Sequence, residues 1–167
     1  SGQALPTQAN VKTRWPDGSV KHAVLSFLIP ELRAGQSVVI SFANQTSSHN
    51  SPLVNQSEML QNSYNFDAVM DFTNGTIRRS ISARDMLQDG AVEYWFDGPV
   101  ASSIILADHS DARRYDLGFD AHRSIRPIFH ATFWPTINKV KVRYIAEISD
   151  TEVLQDQNYA LSLKLGT

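Results

Sequence analysis

Apolar residues that alternate with polar ones dominate this chain and predict β-strands. Four segments place an apolar side chain at every second position, which is the pattern of a strand with one buried face. They are residues 38–42, 92–96, 140–148 and 159–165. Three further segments predict central strands because they are apolar on both faces. They are residues 23–29, 100–107 and 128–134. The sequence therefore predicts an all-β fold, either an antiparallel β-barrel or a β-sandwich.

Helical signals are few and short. Residues 82–88 predict one or two turns of helix, with Ser82 as the N-cap and Asp85 at the third helical position. Residues 57–60 are a second short candidate. Residues 44–65 are polar and lack periodicity, so we expect a long surface loop there. One or two short helices thus accompany the predicted β fold.

The strongest local signal is a tight turn within residues 14–21, RWPDGSVK. Pro16 presets φ for the first inner turn position, and Asp17 tolerates the second. Gly18 accepts the left-handed backbone that leads back into the sheet. We expect the end of one strand, this turn, and then a long buried strand.

The charge and hydropathy of the chain exclude two classes of partner. A formal net charge of −2 without any basic stripe argues against nucleic acid or an anionic membrane, because both require clustered Lys and Arg. Hydrophobic residues make up 42% of the chain, too much for a disordered protein, and no apolar run reaches membrane-spanning length. We therefore expect a globular domain that binds neither nucleic acid nor membrane.

Size and surface chemistry suggest where this domain works. The 167 residues suffice for one domain with its own core, and the absence of cysteine is compatible with either redox compartment. Charged residues are only 19%, while Ser, Thr, Asn and Gln are abundant, which favours an extracellular or cell-surface location in a bacterium. The sequence begins SGQALP, without Met or a signal peptide, and stops within a strand pattern. We expect residues 1–167 to be a single β domain, a fragment or module of a longer secreted chain.

Residues 14–21 and the strand after them resemble the N-terminal RIFT-type β-barrel domain of the exo-acting rhamnogalacturonan lyase-like family of bacteria. Four other segments, which extend the resemblance to roughly half of the chain, are residues 5–8 (LPTQ), 32–36 (LRAGQ), 96–100 (FDGPV) and 126–143. The family pattern has one more strand before LPTQ, so the resemblance implies a barrel that lacks its first strand. In such lyases this domain is an accessory one, and catalysis is expected in a helical barrel outside this chain. The resemblance therefore implies a polysaccharide-associated module and carries over no catalytic residue.

Three tryptophans are the candidate sugar-binding residues. Polysaccharide recognition uses flat aromatic faces flanked by polar side chains. Trp15 lies at the turn beside Asp17, Trp95 alternates to the face opposite its apolar neighbours, and Trp134 ends a strand. The alternative is that each ring covers a barrel end or packs a strand junction, because large rings are mostly buried. Asp17, which flanks Trp15, is the fourth candidate sugar-binding residue, and the alternative for it is a routine turn residue.

The densest group of ionisable residues lies in one polar segment between two predicted strands. Its members are His109, Arg113, Arg114, Tyr115, Asp116, Asp120, His122, Arg123 and Arg126. A His with a neighbouring Tyr and Arg is chemically able to abstract a proton alpha to a uronate carboxylate. The same residues also describe an ordinary charged loop with internal ion pairs. The chain has no metal-ligand spacing, serine elbow, P-loop, dinucleotide glycine pattern or Cys nucleophile, so we assign no catalytic residue, metal or cofactor.

These observations leave three hypotheses. The leading one is a non-catalytic β-barrel module of a larger extracellular bacterial protein, which packs beside a carbohydrate-processing domain or contributes a sugar-binding face. The second is a structural subunit of a surface filament or virion appendage, in which further copies complete the missing strand by strand addition. The third is a small polysaccharide lyase that uses residues 109–126. The expected partners are the other domains of the parent protein, a polysaccharide, or further copies of the chain.

Overall fold

The structure is a computed structural model that describes residues 4–43, 54–121, 123–148 and 158–166. Within these ranges the chain forms nine β-strands, two short α-helices and one 3-10 turn. All strand pairs are antiparallel. The expected all-β class with one or two short helices is confirmed.

The strands divide into one hairpin and two larger sheets. The hairpin is β1 (Thr7–Arg14) with β2 (Val20–Phe27). The second sheet has the order β4–β3–β9, and the third has the order β5–β6–β7–β8. The remaining strands are β3 (Ala68–Asn74), β4 (Ile77–Ser82), β5 (Val92–Phe96), β6 (Ser102–Ala107), β7 (Ile125–Trp134), β8 (Lys139–Ile148) and β9 (Ala160–Leu165). The helices are α1 (Gln56–Met59) and α2 (Ala83–Gln88), and the 3-10 turn is Pro135–Ile137.

One hydrophobic core joins the two larger sheets into a sandwich. Phe72 of β3 and Phe129 and Phe133 of β7 are fully buried in it, together with Met86 of α2. Phe66 packs edge-on against Phe133, with ring centroids 5.0 Å apart. α2 contacts strands of both sheets, namely β3, β4 and β6. Each fully buried side chain of this size contributes about 1.5–3 kcal/mol of burial free energy. This core therefore holds together the described residues between 54 and 166, which we call the body.

The alternation predicted the body strands well. Residues 92–96 form β5, residues 140–148 lie in β8, and β9 occupies most of residues 159–165. Of the two body segments predicted as central, 100–107 contains β6, which begins at residue 102, and 128–134 lies in β7. These two strands are the inner pair of the four-stranded sheet, so their central position is confirmed.

The prediction that residues 23–29 form a central strand is wrong. They contribute to β2, which pairs only with β1 among the described strands and is half-exposed along its length. The turn before it forms as expected. Gly18 has φ of +85°, its N–H donates to the Trp15 carbonyl at 2.9 Å, and the Trp15 N–H donates to the Ser19 carbonyl at 2.9 Å.

The prediction of a strand at residues 38–42 is also wrong. Residues 36–43 pair with no strand in the described chain, and the side chain of Val39 is 91% exposed. Phe42 contacts Phe27 edge-on, with ring centroids 6.3 Å apart. Alternation gives a segment the side chains of a strand, but the ladder requires a neighbouring edge, and this segment has none here.

Two strands were not predicted. β3 shows no clean alternation because both of its faces are covered: Met70 and Phe72 face the core, and Asp71 on the other face is also buried. Gly75 and Thr76 form the two-residue turn between β3 and β4, since Asn74 and Ile77 pair across it, and Gly75 has φ of +57°. Glycine at the first position of a two-residue loop is a hairpin signal.

The helices begin close to their predicted positions. Ser82 caps α2 as expected, since its Oγ accepts from the Asp85 N–H at 3.1 Å. α1 begins one residue before its predicted range. The expectation of a surface loop over residues 44–65 is wrong for its second half, where Val54 and Met59 are buried in the core. Residues 44–53 lie outside the described residues.

Candidate functional site

Polar side chains of β1 attach the hairpin to the body. The Oε1 atom of Gln8 accepts from the N–H groups of Val100 and Ala101, both at 3.0 Å, and its Nε2 donates to the Ala101 carbonyl at 2.8 Å. Asn10 donates to the Asp97 carbonyl at 2.7 Å. Because residues 8 and 10 lie on one face of the strand, that face of β1 binds the turn formed by residues 97–101.

Lys12 extends the same row to Trp95. Its Nζ donates to the Trp95 carbonyl and lies 4.3 Å from the centroid of the Trp95 ring. The Trp95 side chain is 50% exposed. An ammonium group at this distance from an indole is a cation–π contact.

A second pair of the same kind lies at the tip of the hairpin. Trp15 directly follows β1 and is 51% exposed, and the Nζ of Lys21 lies 4.4 Å from its ring centroid. The molecule thus presents two half-exposed indoles, each with a lysine ammonium over its ring. Such a pair combines a half-exposed aromatic ring with a positive charge in direct contact with it, which suits a ring that carries a carboxylate.

The other two predicted site residues lie in different surroundings. Trp134 is half-buried at the end of β7, where it pairs with Lys139, and β7 is two strands away from the strand that carries Trp95. Asp17 accepts from the N–H of Ser19 at 2.9 Å and from its hydroxyl at 2.7 Å. These hydrogen bonds hold the pKa of Asp17 below its usual value, and they give its carboxylate a role in the turn.

The opposite face of the hairpin is apolar and points away from the body. Residues paired across an antiparallel ladder share a face, and Ala9 pairs with Leu25 while Val11 pairs with Ala23. Val11 and Leu25 are both exposed. We call Ala9, Val11, Ala23, Leu25 and Phe27 the outer hairpin face. Its position is the reverse of the usual arrangement, in which a sheet turns its apolar side towards the core.

A second apolar surface lies along β9. Leu163 pairs with Met70 and Leu165 with Ala68, so their side chains lie on the core side of the sheet. They are nevertheless exposed, Leu165 to 67%. Among the described residues β9 is an edge strand, and its link to β8 is a side-chain contact: the Tyr144 hydroxyl donates to the Lys164 carbonyl at 2.5 Å.

The ionisable segment at residues 109–126 does not assemble a lyase-like site in the described part of the chain. The Tyr115 hydroxyl donates to Asp89, and burial together with this bond raises the pKa of Tyr115 to about 12. Tyr115 and Arg126 line one crevice, which leaves no room for a water molecule, and His109 lies outside its lining. A tyrosine that holds its proton so tightly is a poor base at neutral pH. His122 lies outside the described residues.

Comparison with known proteins identifies no relative. No protein-family model, curated protein or solved structure matches the chain. In the described ranges, no three His, Asp or Glu side chains are grouped as a metal site needs. No helix in the same ranges has the length and apolar character to cross a membrane. The RIFT-type resemblance therefore stays a prediction, and function is argued from geometry.

Sequence reasoning found the tryptophans but missed their lysines. Lys12 and Lys21 are isolated basic residues in the sequence, and nothing in their spacing marks them as partners of an indole. Lys12 reaches Trp95 only because β1 docks beside the turn that follows β5. The available signal was the row of polar residues at positions 8, 10 and 12, which indicates a strand face that contacts polar groups rather than a core.

Proposed function

We propose that this chain is a non-catalytic β-sandwich module of a larger extracellular bacterial protein, and that it binds an acidic polysaccharide. The single observation that carries the proposal is the pair of half-exposed indoles, each with an ammonium group over its ring. Its extracellular, bacterial setting rests on the composition and on the resemblance at residues 14–21.

The preference for an acidic sugar follows from local charge. Residues 4–43 carry four basic and two acidic side chains, although the whole chain has a formal net charge of −2. Two of the basic side chains stand directly over the exposed rings. A uronate residue that stacks on an indole places its carboxylate within reach of such an ammonium. Because Lys21 is exposed and Lys12 partly so, salt screens these charges and binding weakens as ionic strength rises.

Binding to polygalacturonate tests the proposal, with the same polymer after reduction of its carboxylates as the neutral control. We expect Trp15→Ala and Trp95→Ala each to weaken binding about five- to tenfold, the loss of roughly 1 kcal/mol of ring contact. Trp134→Ala, a change of the same residue type on the body, should leave binding unchanged. Lys12→Met with Lys21→Met should abolish the preference for the acidic polymer. If the unaltered protein binds neither polymer, the proposal is contradicted.

A second candidate function is assembly by strand addition. It is favoured by the outer hairpin face, by the unpaired segment 36–43 and by the β9 edge, all of which expose apolar side chains of strand type. Exposed edges of this kind pair with other chains. Sizing the protein over a range of concentrations should then reveal larger species that Phe42→Lys or Leu163→Lys removes. A monomer at every concentration contradicts assembly.

A further inference from the structure

A cleft of about 400 Å³ opens where three loops meet. The first loop follows α1 and contributes Gln61 and Tyr64. The second is the turn of residues 97–101, with Pro99, and the third is the 3-10 turn with Asn138 behind it. In the four-stranded sheet each strand runs antiparallel to the next, so β5 and β7 run in the same direction. The turns that follow these two strands therefore lie at the same end of the sheet. The volume falls within the range of small-molecule sites, about 300–1,000 Å³.

The walls of the cleft are fixed by contacts within the protein. Glu58 lies in a capping box, in which its Oε2 accepts from the Asn55 N–H at 2.8 Å. Arg84 donates to two carbonyl groups of the segment 60–66, at 2.8 and 3.1 Å. Tyr64 packs edge-on against a core phenylalanine, with ring centroids 5.3 Å apart. The loop that follows α1 and the ring of Tyr64 are therefore ordered before a ligand binds, which lowers the entropy cost of binding.

The polar side chains in the wall suit a polyhydroxylated ligand. Gln61 and Asn138 bear amides, and Ser63 and Thr136 bear hydroxyls. Amide and hydroxyl groups both donate and accept hydrogen bonds, as the hydroxyls of a sugar do. Tyr64 adds an aromatic ring, the usual apolar surface for a sugar.

Charge in the cleft has one sign. Glu58 is the acidic group of its lining, and no Lys or Arg lines it in the part of the chain that the structure describes. Burial and the nearby Glu58 carboxylate raise the pKa of Tyr64, so its hydroxyl keeps its proton and can donate. A carboxylate or phosphate placed here would meet Glu58 without a compensating cation, which is unfavourable.

We propose that this cleft binds one neutral sugar unit, which stacks on Tyr64 and is held by the four amide and hydroxyl side chains of the wall. The site is separate from the Trp15–Lys21 and Trp95–Lys12 pairs, and its charge gives it the opposite preference. The chain then has two subsites, one for an acidic and one for a neutral sugar. The neutral subsite can be tested with free monosaccharides, independently of polysaccharide binding.

Galactose and galacturonate are matched probes, because they differ only at C6. We expect NMR titration of the Trp15→Ala, Trp95→Ala double variant with galactose to give saturable shifts of the Gln61 and Asn138 amides. Galacturonate should bind at least tenfold more weakly at neutral pH. Asn138→Gly should weaken galactose binding about fivefold or more, and glycine tolerates the φ of +48° at this position. Glu58→Gln, which retains the capping box, should remove most of the discrimination against galacturonate.

Several results overturn the proposal. One is the absence of saturable shifts with galactose, glucose and rhamnose at concentrations on the order of 100 mM, a hundred times a Kd of about 1 mM. A second is equal binding of galactose and galacturonate by the unaltered Glu58 protein. A third is galactose binding that Asn138→Gly leaves unchanged. Failure of polygalacturonate binding with galactose binding intact would contradict the proposed function and leave this site standing.

Discussion

The β1–β2 hairpin and the β7–β8 pair are both antiparallel ladders with apolar residues at alternate positions, yet they meet different surroundings. In β7, Phe129 and Phe133 face the opposite sheet and are fully buried. In the hairpin, Val11 and Leu25 also share a face but remain exposed. The difference lies in the facing layer, since among the described residues a second sheet faces the body strands and none faces the hairpin. Alternation shows which side of a strand is apolar, and the rest of the chain decides whether that side is buried.

The two regions are also held by different forces. Apolar burial holds the body together, whereas hydrogen bonds between the side chains of Gln8 and Asn10 and backbone groups of the body hold the hairpin in place. A net hydrogen bond contributes about 0.5–1.5 kcal/mol, while a fully buried large apolar side chain contributes about 1.5–3 kcal/mol. We therefore expect the hairpin to detach at a lower free energy than the body unfolds.

The largest expected effect comes from the core. Phe129→Ala should lower the free energy of unfolding by about 3–5 kcal/mol, because it opens a cavity that the packed sheets cannot fill. Leu25→Ala, an apolar truncation in the hairpin, should cost less than about 1 kcal/mol. Urea denaturation of both variants measures the contrast. A comparable loss for Leu25→Ala would mean that the outer hairpin face is covered in solution.

The next effect concerns the polar side of the three-stranded sheet. Asp71 of β3, only 4% exposed, accepts from Arg78 of β4 at 2.8 Å and from Lys164 of β9 at 2.6 Å. Asp71→Asn should destabilise the body by about 1.5–3 kcal/mol, the range for hydrogen bonds to charged groups. Asp17→Asn, in the exposed hairpin turn, should leave the unfolding of the body unchanged. Equal effects of the two substitutions would contradict the role of Asp71.

The same carboxylate predicts an acid dependence. Burial alone would raise the pKa of Asp71, but hydrogen bonds from Lys164, Ser80 and Arg78 outweigh it and hold the pKa well below its usual value. A lowered pKa in the folded state stabilises the fold above the unfolded value of about 4 and loses that contribution as pH falls below it. Unfolding measured from pH 7 down to pH 2 should show this loss in the parent and a weaker one in Asp71→Asn.

A smaller, local effect is expected at the hairpin joint. Gln8→Ala removes three hydrogen bonds to the turn and should destabilise hairpin docking by about 1–3 kcal/mol. Gly98→Ala should act similarly, since an added Cβ would lie 2.3 Å from the Gln8 Cδ. Hydrogen exchange should then accelerate in β1 and β2 and stay unchanged in β6 and β7, with Thr13→Ala as the control. Faster exchange throughout the body would show that the two regions unfold together.

The smallest effect is a titration. Burial and the hydrogen bond to Asp89 raise the pKa of Tyr115 to about 12. The neutral form is favoured in the folded state, so its contribution is present below pH ~10 and is lost as pH rises through the folded pKa. Asp89→Asn should shift tyrosinate absorbance for this residue to lower pH, and Asp111→Asn on the same segment should not. An unchanged titration in Asp89→Asn would rule out this pairing.

Much of the body was predictable because its strands obey simple alternation. β5, β8 and β9 each carry apolar side chains at alternate positions, and Ser82 marks the start of α2 by a local rule. β3 was not predicted because Asp71 interrupts its apolar run. The burial of Asp71 depends on cations from two other strands, which the local sequence does not show. The segment 38–42 misled because alternation is a local pattern, whereas a strand also needs a neighbouring edge, and the described residues provide none for it.

The candidate sites divide in the same way. Trp15 and Trp95 were visible as residue types suited to sugars. Their lysines were not, because Lys21 meets Trp15 across the hairpin turn and Lys12 meets Trp95 only where β1 docks beside the turn of residues 97–101. The cleft was not visible, because it draws Tyr64, Pro99 and Asn138 from three loops far apart in the sequence. Sites made by one segment can be read locally, and sites made by several need the fold.

The half-exposed leucines of β9 have an evolutionary consequence. An exposed leucine contributes little to stability, so its replacement is under weak selection. Positions 161, 163 and 165 should therefore accept lysine or glutamate in homologues in which nothing binds this edge. Leucine at all three positions in distant homologues would indicate selection for a partner surface that covers them. These three columns of a future alignment would therefore record the presence or absence of a companion surface.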